Sequence, residues 1–235
     1  NFYDWWKNID KFLLSLILGL FLLGLFFSLV STSLIASDKL DTKSYYFFFK
    51  HSAYIVLAIA ILIIFSFLNQ KFLTKLSLIL FLVAFLSLLL VPFLGIEVKG
   101  SKRWLDLIFL PRFQPIEIIK PFFIVSLSLM LTIQNRKLYF KYFLSSLFIL
   151  PILMLLIYQP DIGQTLLISM VWLALIFVSG INIFIFFIFF LFVGSTVSYL
   201  ILFVSRFEYI KIRLFAFLDS SSGNNYQAEK ASDAI

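Results

Sequence analysis

The sequence lacks cysteine and is poor in charge, and both deficits narrow what it can encode. None of the 235 residues is Cys and only one is His, which excludes a disulfide framework, a thiolate nucleophile and a Cys-based metal site. Charged residues make up 13% of the chain, against about 25% in an ordinary soluble domain. Hydrophobic residues make up 62%, and the mean hydropathy is +1.06. A soluble globule is therefore excluded.

Apolar runs fill most of the chain, and each is near the length of about 20 residues that a bilayer-spanning helix needs. The runs are 12–36, 52–68, 76–95, 115–133, 142–158, 164–180 and 183–205. None has the period-two alternation of a membrane barrel strand, so backbone hydrogen bonding favours helices. We predict an all-α, polytopic membrane helix bundle with about seven transmembrane helices, forming one domain over residues 1–235.

The two ends of the sequence look clipped. The first residue is Asn rather than Met, and the last segment, from Glu229 to Ile235, stops in polar sequence. The expectation is a fragment of a longer protein.

A basic segment joins the third and fourth runs. It carries Lys99, Lys102, Arg103 and Arg112, with Trp104 beside them. Arginine offers a planar fork for phosphate oxygens, and tryptophan favours headgroup depth. The functional interpretation is an anion site at the membrane surface. The alternative is a loop attracted to anionic lipid headgroups, at about 1 kcal/mol per cation.

The fourth run begins with an acid and a base close together. Glu117 and Lys120 are three residues apart, so they share a helix face and can pair. Pro115 suits the first helical turn, and Pro121 leaves the carbonyl of Glu117 without its helical donor. Charges in a spanning helix are by default functional candidates. An interfacial ion pair one turn below the surface is the alternative.

The turn between the fifth and sixth runs is short and polar. Asp161 follows Pro160, and Gly163 permits close approach of the backbone. Asp161 either caps the next helix or contributes to a polar site, and the sequence favours neither. Farther on, the charged residues 206–213 are typical of a snorkelling belt at a helix end.

In this order and spacing, the polar segments resemble the SEDS family (shape, elongation, division and sporulation), which includes FtsW, RodA and SpoVE. The matching motifs are Gly100-x-x-Arg103-Trp104, Phe113-Gln-Pro-Ile-Glu-Ile-Ile-Lys120, Gln159-Pro-Asp-Ile-Gly163, and Asp219 followed by Gly223 and Tyr226-Gln227. The aromatic stretch from Tyr45 to Phe49 resembles the FtsW branch more than the RodA branch.

The resemblance implies a ten-helix peptidoglycan glycosyltransferase that polymerises lipid II and releases undecaprenyl diphosphate. Counting loop cations would place the N-terminus outside, whereas the resemblance implies an inside N-terminus and outward-facing polar loops. The family's general base, an Asp, would lie beyond Ile235, so the catalytic residues are unknown and this fragment should be inactive.

The resemblance also implies a substrate-binding set. Lys102 and Arg103 would hold the diphosphate, Glu117 and Lys120 would shape the polar cavity, and Asp161 would support it. The whole set comprises Lys102, Arg103, Trp104, Gln114, Glu117, Lys120, Asp161, Tyr226 and Gln227. The sequence predicts no metal site and no evident cofactor, although a divalent cation is compatible with a diphosphate substrate.

Partners and location follow from the same resemblance. The expected partners are lipid II, a class B penicillin-binding protein transpeptidase, other divisome proteins and membrane lipids, and no nucleic acid. The expected location is the cytoplasmic (inner) membrane at the division septum. A lipid II flippase or related transporter, a RodA-type elongation polymerase and a structural scaffold are the alternatives.

Overall fold

The computed structural model describes residues 2–31, 45–98, 101–107, 110–134 and 137–212. It divides into two compact units, residues 1–73 and residues 74–235. Within the described ranges, each of the seven apolar runs corresponds to a helix, with bounds a few residues from those predicted.

The described residues of the first unit form a short helix and two long ones. These are α1 (Phe2–Asn8), α2 (Lys11–Ser31) and α3 (Tyr46–Phe67). The Asp10 side chain accepts from the backbone N–H of Leu13 at 3.0 Å, which caps α2. The ring of Trp5 stacks on Phe67 with centroids 4.8 Å apart, and its Nε1–H donates to the Ser66 hydroxyl at 2.9 Å. These contacts attach α1 to the end of α3.

The second unit contains the remaining helices. They are α4 (Gln70–Leu94, which begins at the end of the first unit), α5 (Pro115–Thr132), α6 (Leu138–Tyr158), α7 (Ile162–Val178) and α8 (Ile183–Phe203). A 3-10 turn, Ser205–Phe207, and a helical turn at 208–212 follow α8. Helices α5, α6 and α7 pack against one another, and α8 packs against α7.

The basic segment after α4 is not the irregular loop that the sequence indicated. It forms three short antiparallel strands, β1 (Ile96–Val98), β2 (Ser101–Leu107) and β3 (Leu110–Phe113), in the order β1-β2-β3. Side chains alternate along β2: Lys102, Trp104 and Asp106 are exposed, whereas Arg103 is partly buried and Leu105 is buried. This period of two places Arg103 on the face of β2 that packs toward α5.

The core lies between α4, α5, α6 and α7. Leu88, Phe123, Ile152 and Ile168 are fully buried there, and the Phe123 ring stacks on Phe148 with centroids 5.7 Å apart. Inside the core, the Trp172 Nε1–H of α7 donates to the Ser145 hydroxyl of α6 at 3.2 Å, whereas the Tyr142 hydroxyl has no hydrogen-bond partner among the described residues.

Six of the described helices are long and apolar enough to cross a membrane, namely α2, α3, α4, α5, α6 and α8. The seventh, α7, is an apolar helix of 17 residues with a length of about 25 Å. It falls just below the length of an ordinary span because Asp161 starts it late and Ser179 ends it. The prediction of a polytopic helical membrane protein is confirmed.

Candidate functional site

The polar turn between α6 and α7 is built around a buried carboxylate. Asp161 is 6% exposed and occupies the N-cap of α7, where its Oδ1 accepts from the backbone N–H of Gln164 at 3.4 Å. The Thr165 hydroxyl donates to the Asp161 carbonyl at 2.8 Å. Asp161 therefore caps α7, which was one of the two roles that the sequence left open. Its second carboxylate oxygen, Oδ2, can accept further hydrogen bonds.

Arg103 fixes this turn from the side of β2. Its Nη2 donates to the Pro160 carbonyl at 2.6 Å, its Nε donates to the Gln159 carbonyl at 3.4 Å, and its Nε lies 3.7 Å from Asp161 Oδ2. Carbonyls at the end of α6 have no helical donors of their own, so a cation is favoured there. Much of the guanidinium's donor capacity is thus directed at the protein itself.

Gln114 connects the start of α5 to the same carboxylate. Its Nε2 donates to Asp161 Oδ2 at 3.1 Å, so this oxygen faces both Gln114 and Arg103. Pro115 occupies the first helical position, as predicted, where its missing N–H costs nothing. The strand β2, the helix α5 and the α6–α7 turn therefore meet at one carboxylate.

The predicted pair on α5 is present. Lys120 Nζ lies 2.5 Å from Glu117 Oε2, and Gln164 Nε2 donates to Glu117 Oε1 at 2.7 Å. Gln164 therefore touches both acids, Asp161 through its backbone and Glu117 through its side chain. Half of the Glu117 side chain and about a quarter of the Lys120 side chain remain exposed.

These contacts form one network, which we call the turn network: Arg103, Gln114, Glu117, Lys120, Asp161 and Gln164. Sequence analysis placed five of the six in the site and missed Gln164, although a glutamine in the first turn of an apolar helix was a usable signal. Successive helices of this unit run in opposite directions. One end of the unit therefore holds the last residues of α4, α6 and α8 and the first residues of α5 and α7, and the turn network lies at that end.

A cavity of about 300 Å³ lies beside the turn network. It is lined by Pro92, Glu97, Ser101, Lys102, Tyr158, Gln159 and Arg206. Of these, sequence analysis assigned only Lys102 to the site. The Arg206 guanidinium lies over the Tyr158 ring, 5.3 Å from its centroid. The cationic helix end that the sequence indicated as a snorkelling belt therefore contributes a side chain to this cavity.

The remaining predicted residues have different positions. Trp104 is 38% exposed on the outer face of β2. Tyr226 and Gln227 lie outside the described residues. Within the described ranges, no group of three or more His, Cys, Asp or Glu side chains is placed to hold a metal ion. The compatibility with a divalent cation stays a prediction.

Comparison with known families gives a match over most of the chain. The model of the FtsW, RodA and SpoVE family, described as "Cell cycle protein", matches residues 11–235. The chain belongs to this family. The resemblance drawn from its motifs is confirmed, and the turn network lies within the matched region.

The curated relatives extend the match. The chain is 32% identical over 181 residues to a protein of Coxiella burnetii, which covers 75% of this chain and 48% of the relative. It is 29% identical over 226 residues to a protein of Idiomarina loihiensis, covering 93% of this chain and 54% of the relative. Both relatives are named "Probable peptidoglycan glycosyltransferase FtsW". The chain spans about half the length of the curated relatives it matches.

Solved structures agree on the fold. The crystal structure of Thermus thermophilus RodA superimposes with a TM-score of 0.57 at 23% identity, covering 74% of this chain and 58% of that chain. A chain of a peptidoglycan synthase complex, studied for the coordination of polymerization and crosslinking, gives a TM-score of 0.63 at 23% identity and covers 88% and 62%. The polytopic helical fold is thus shared.

Proposed function

We propose that the full-length protein is a peptidoglycan glycosyltransferase that polymerises lipid II and releases undecaprenyl diphosphate. The observation that carries this proposal is the turn network, in which charged and amide side chains from β2, α5 and α7 meet at one end of an apolar bundle. Family membership and the names of the curated relatives support it. Residues 1–235 would belong to its single transmembrane domain.

The chemistry of such a transfer fits this end of the bundle. An acceptor sugar hydroxyl attacks the anomeric carbon of the donor, the glycosidic bond to the carrier breaks, and negative charge develops on the departing diphosphate. Fixed cations that face this charge lower the barrier. Glu117 and Lys120 are exposed enough to meet a substrate, and Gln164 holds Glu117 in place. The predicted general base, an Asp beyond Ile235, would complete the site.

The division branch is the better-supported assignment. The relatives from Coxiella burnetii and Idiomarina loihiensis both carry the name FtsW, and we propose septal wall synthesis in the cytoplasmic membrane. The structural likeness to a chain of a peptidoglycan synthase complex supports a class B penicillin-binding protein as partner, with other divisome proteins around it. A fluorescent fusion at native expression should concentrate at the septum, and an even distribution along the side wall would indicate the RodA branch.

The activity is tested with the purified full-length native protein, its transpeptidase partner and fluorescent lipid II, with the products resolved on a gel. We expect a ladder of glycan polymer that disappears in Glu117→Gln and persists in Asp106→Asn, which alters an exposed carboxylate on β2. Transbilayer movement of lipid II without polymer would indicate a flippase. Neither activity would indicate a scaffold.

A further inference from the structure

Helix α1 depends on its contacts with α3 for a fixed position. It has seven residues, and helices shorter than about 12 residues are marginal in water without tertiary packing. Trp5 supplies that packing, because its ring stacks on Phe67 and its Nε1–H donates to Ser66. The backbone N–H of Ile9 donates to the Trp5 carbonyl at 3.1 Å, which links α1 to the start of α2. The short helix is therefore held where α2 begins and α3 ends.

Three exposed lysines lie at the same place. Lys7 is in the last turn of α1, Lys11 is the first residue of α2, and Lys71 is in the first turn of α4. Because Lys71 follows Phe67 by four residues, its Cα is at most about 14 Å from that of Phe67. Among the side chains that the structure describes, none of the three lysines has a carboxylate within ion-pair distance. Their charges are therefore not neutralised within the described part of the chain.

Two of these lysines occupy positions that do not favour their own helices. The first turn of a helix carries a partial positive charge, so a cation there is unfavourable. Neither α2 nor α4 has an acid in its first turn, and each has a lysine there, Lys11 or Lys71. The sequence also places Asp4 and Asp10 in this segment, but Asp10 uses its carboxylate to cap α2. Helix stability therefore does not explain the lysines, and an anion from outside the chain does.

Exposed aromatic side chains accompany the lysines. Trp6 is 44% exposed and Tyr3 is 75% exposed, and the Lys11 Nζ lies 5.7 Å from the centroid of the Trp6 ring. Tryptophan and tyrosine favour the headgroup level of a bilayer. Helices α2 and α3 pack against each other and are each long and apolar enough to span the membrane, so their ends lie near that level. The lysines are therefore placed at the depth of lipid phosphates.

We propose that Lys7, Lys11, Lys71 and the ring of Trp6, which we call the basic surface, bind the headgroup of an anionic phospholipid. The three ammonium groups complement the charge of a lipid phosphate. The occupant is a lipid rather than a soluble anion, because the exposed rings and the ends of two spanning helices place the lysines at headgroup level. Trp5 keeps α1 attached to α3 and thereby keeps Lys7 in the surface. This binding does not depend on the proposed function.

The test measures which lipids lie next to α1. The full-length native protein is placed in phosphatidylcholine nanodiscs that contain a small fraction of phosphatidylglycerol with a photoactivatable headgroup. Cross-linking to α1 is quantified by mass spectrometry, with unlabelled phosphatidylglycerol, phosphatidylcholine and inorganic phosphate as competitors. We expect phosphatidylglycerol to compete better than phosphatidylcholine, and this preference should fall as salt is raised, because the attraction is electrostatic.

Single lysine variants identify the residues that cause the preference. Lys11→Gln and Lys71→Gln should each lower the preference for phosphatidylglycerol roughly fivefold, and Lys11→Arg should keep it. The matched control is Lys50→Gln. Lys50 is also exposed and lies 5.9 Å from the centroid of the Tyr46 ring, but it is near the opposite end of α3. The control should leave the preference within about twofold.

A gain of preference separates lipid binding from a structural defect. Asn8→Lys adds a cation to the exposed last turn of α1 and should raise the preference severalfold, which a merely destabilised protein would not do. Unchanged preference in both Lys11→Gln and Lys71→Gln would overturn the proposal. Competition by phosphatidylcholine as strong as that by phosphatidylglycerol would reduce the contact to ordinary bilayer lipid and would also overturn it. Equally strong competition by inorganic phosphate would make a soluble anion the occupant, against the proposal.

Discussion

The turn network and the adjacent cavity contain the same residue types, but these residues have different hydrogen-bonding partners in the two places. In the turn network, the Arg103 guanidinium, the Gln114 amide and the Asp161 carboxylate satisfy one another. In the cavity wall, the Arg206 guanidinium lies over the Tyr158 ring, and Gln159 Nε2 is buried without a hydrogen-bond partner among the described residues. Because a buried polar group must be satisfied by protein, water or ligand, the closed set of Arg103, Gln114 and Asp161 holds the turn in place. Glu117 and Lys120, which belong to the same network, are partly exposed and can meet a substrate. Residue type alone does not separate the two roles.

Breaking the closed set should have the largest effect on stability. Asp161→Ala removes the cap of α7 and leaves Arg103 and Gln114 without their shared acceptor, so we expect a loss of about 2–4 kcal/mol, discounted because Arg103 is partly exposed. Thermal unfolding of the full-length protein in detergent measures it. The matched control, Asp106→Asn on the exposed pair with Arg112, should cost at most about 1 kcal/mol. Equal losses in the two variants would contradict the comparison.

The Glu117–Lys120 pair should be intermediate. Lys120→Met leaves Glu117 with Gln164 as its partner, and because half of Glu117 meets solvent we expect a loss of about 1–2 kcal/mol. A double-mutant cycle with Glu117→Gln measures the coupling. A coupling energy near zero would show that the pair contributes nothing to stability.

Tyr209 should matter less, because the atom it contacts has a second donor. The Tyr209 hydroxyl donates to the Pro160 carbonyl at 2.9 Å, and Arg103 donates to the same oxygen. Tyr209→Phe removes the hydroxyl and keeps the ring, so we expect a loss of about 0.5–1 kcal/mol. Thermal unfolding measures this, and Tyr199→Phe on the exposed face of α8 is the control. A loss above about 2 kcal/mol would show that the hydrogen bond from Arg103 is not enough to satisfy the Pro160 carbonyl.

The smallest effect on stability is expected for Arg206 in the cavity wall. Arg206→Gln removes a cation that lies over the Tyr158 ring and forms no ion pair among the described residues, so it should change stability by no more than about 1 kcal/mol. The same unfolding measurement checks it. A drop as large as that of Asp161→Ala would make Arg206 a structural residue and would weaken its assignment to the cavity.

Much of the site was predictable from local chemistry. The spacing of Glu117 and Lys120 predicted their pairing, and the place of Asp161 after Pro160 offered a cap as one of two alternatives, which the structure shows to be present. The strands were missed for two reasons. The polarity of Lys102, Arg103, Trp104 and Leu105 alternates only weakly along the sequence. A sheet of three short strands also depends on packing against α5, which the local sequence does not reveal. Arg206 was missed as a cavity residue because nothing near it in sequence identifies Tyr158 as its neighbour.

The sequence by itself determined that the chain crosses a membrane repeatedly and that its polar residues gather in the connections, since long apolar runs have no other stable environment. The same alternation of runs determined which connections share an end. Only the tertiary structure decided which side-chain donors have an acceptor within hydrogen-bond distance. Hydrogen bonding is directional and short in range, so whether Arg103 or Arg206 is satisfied depends on atoms tens of residues away along the chain.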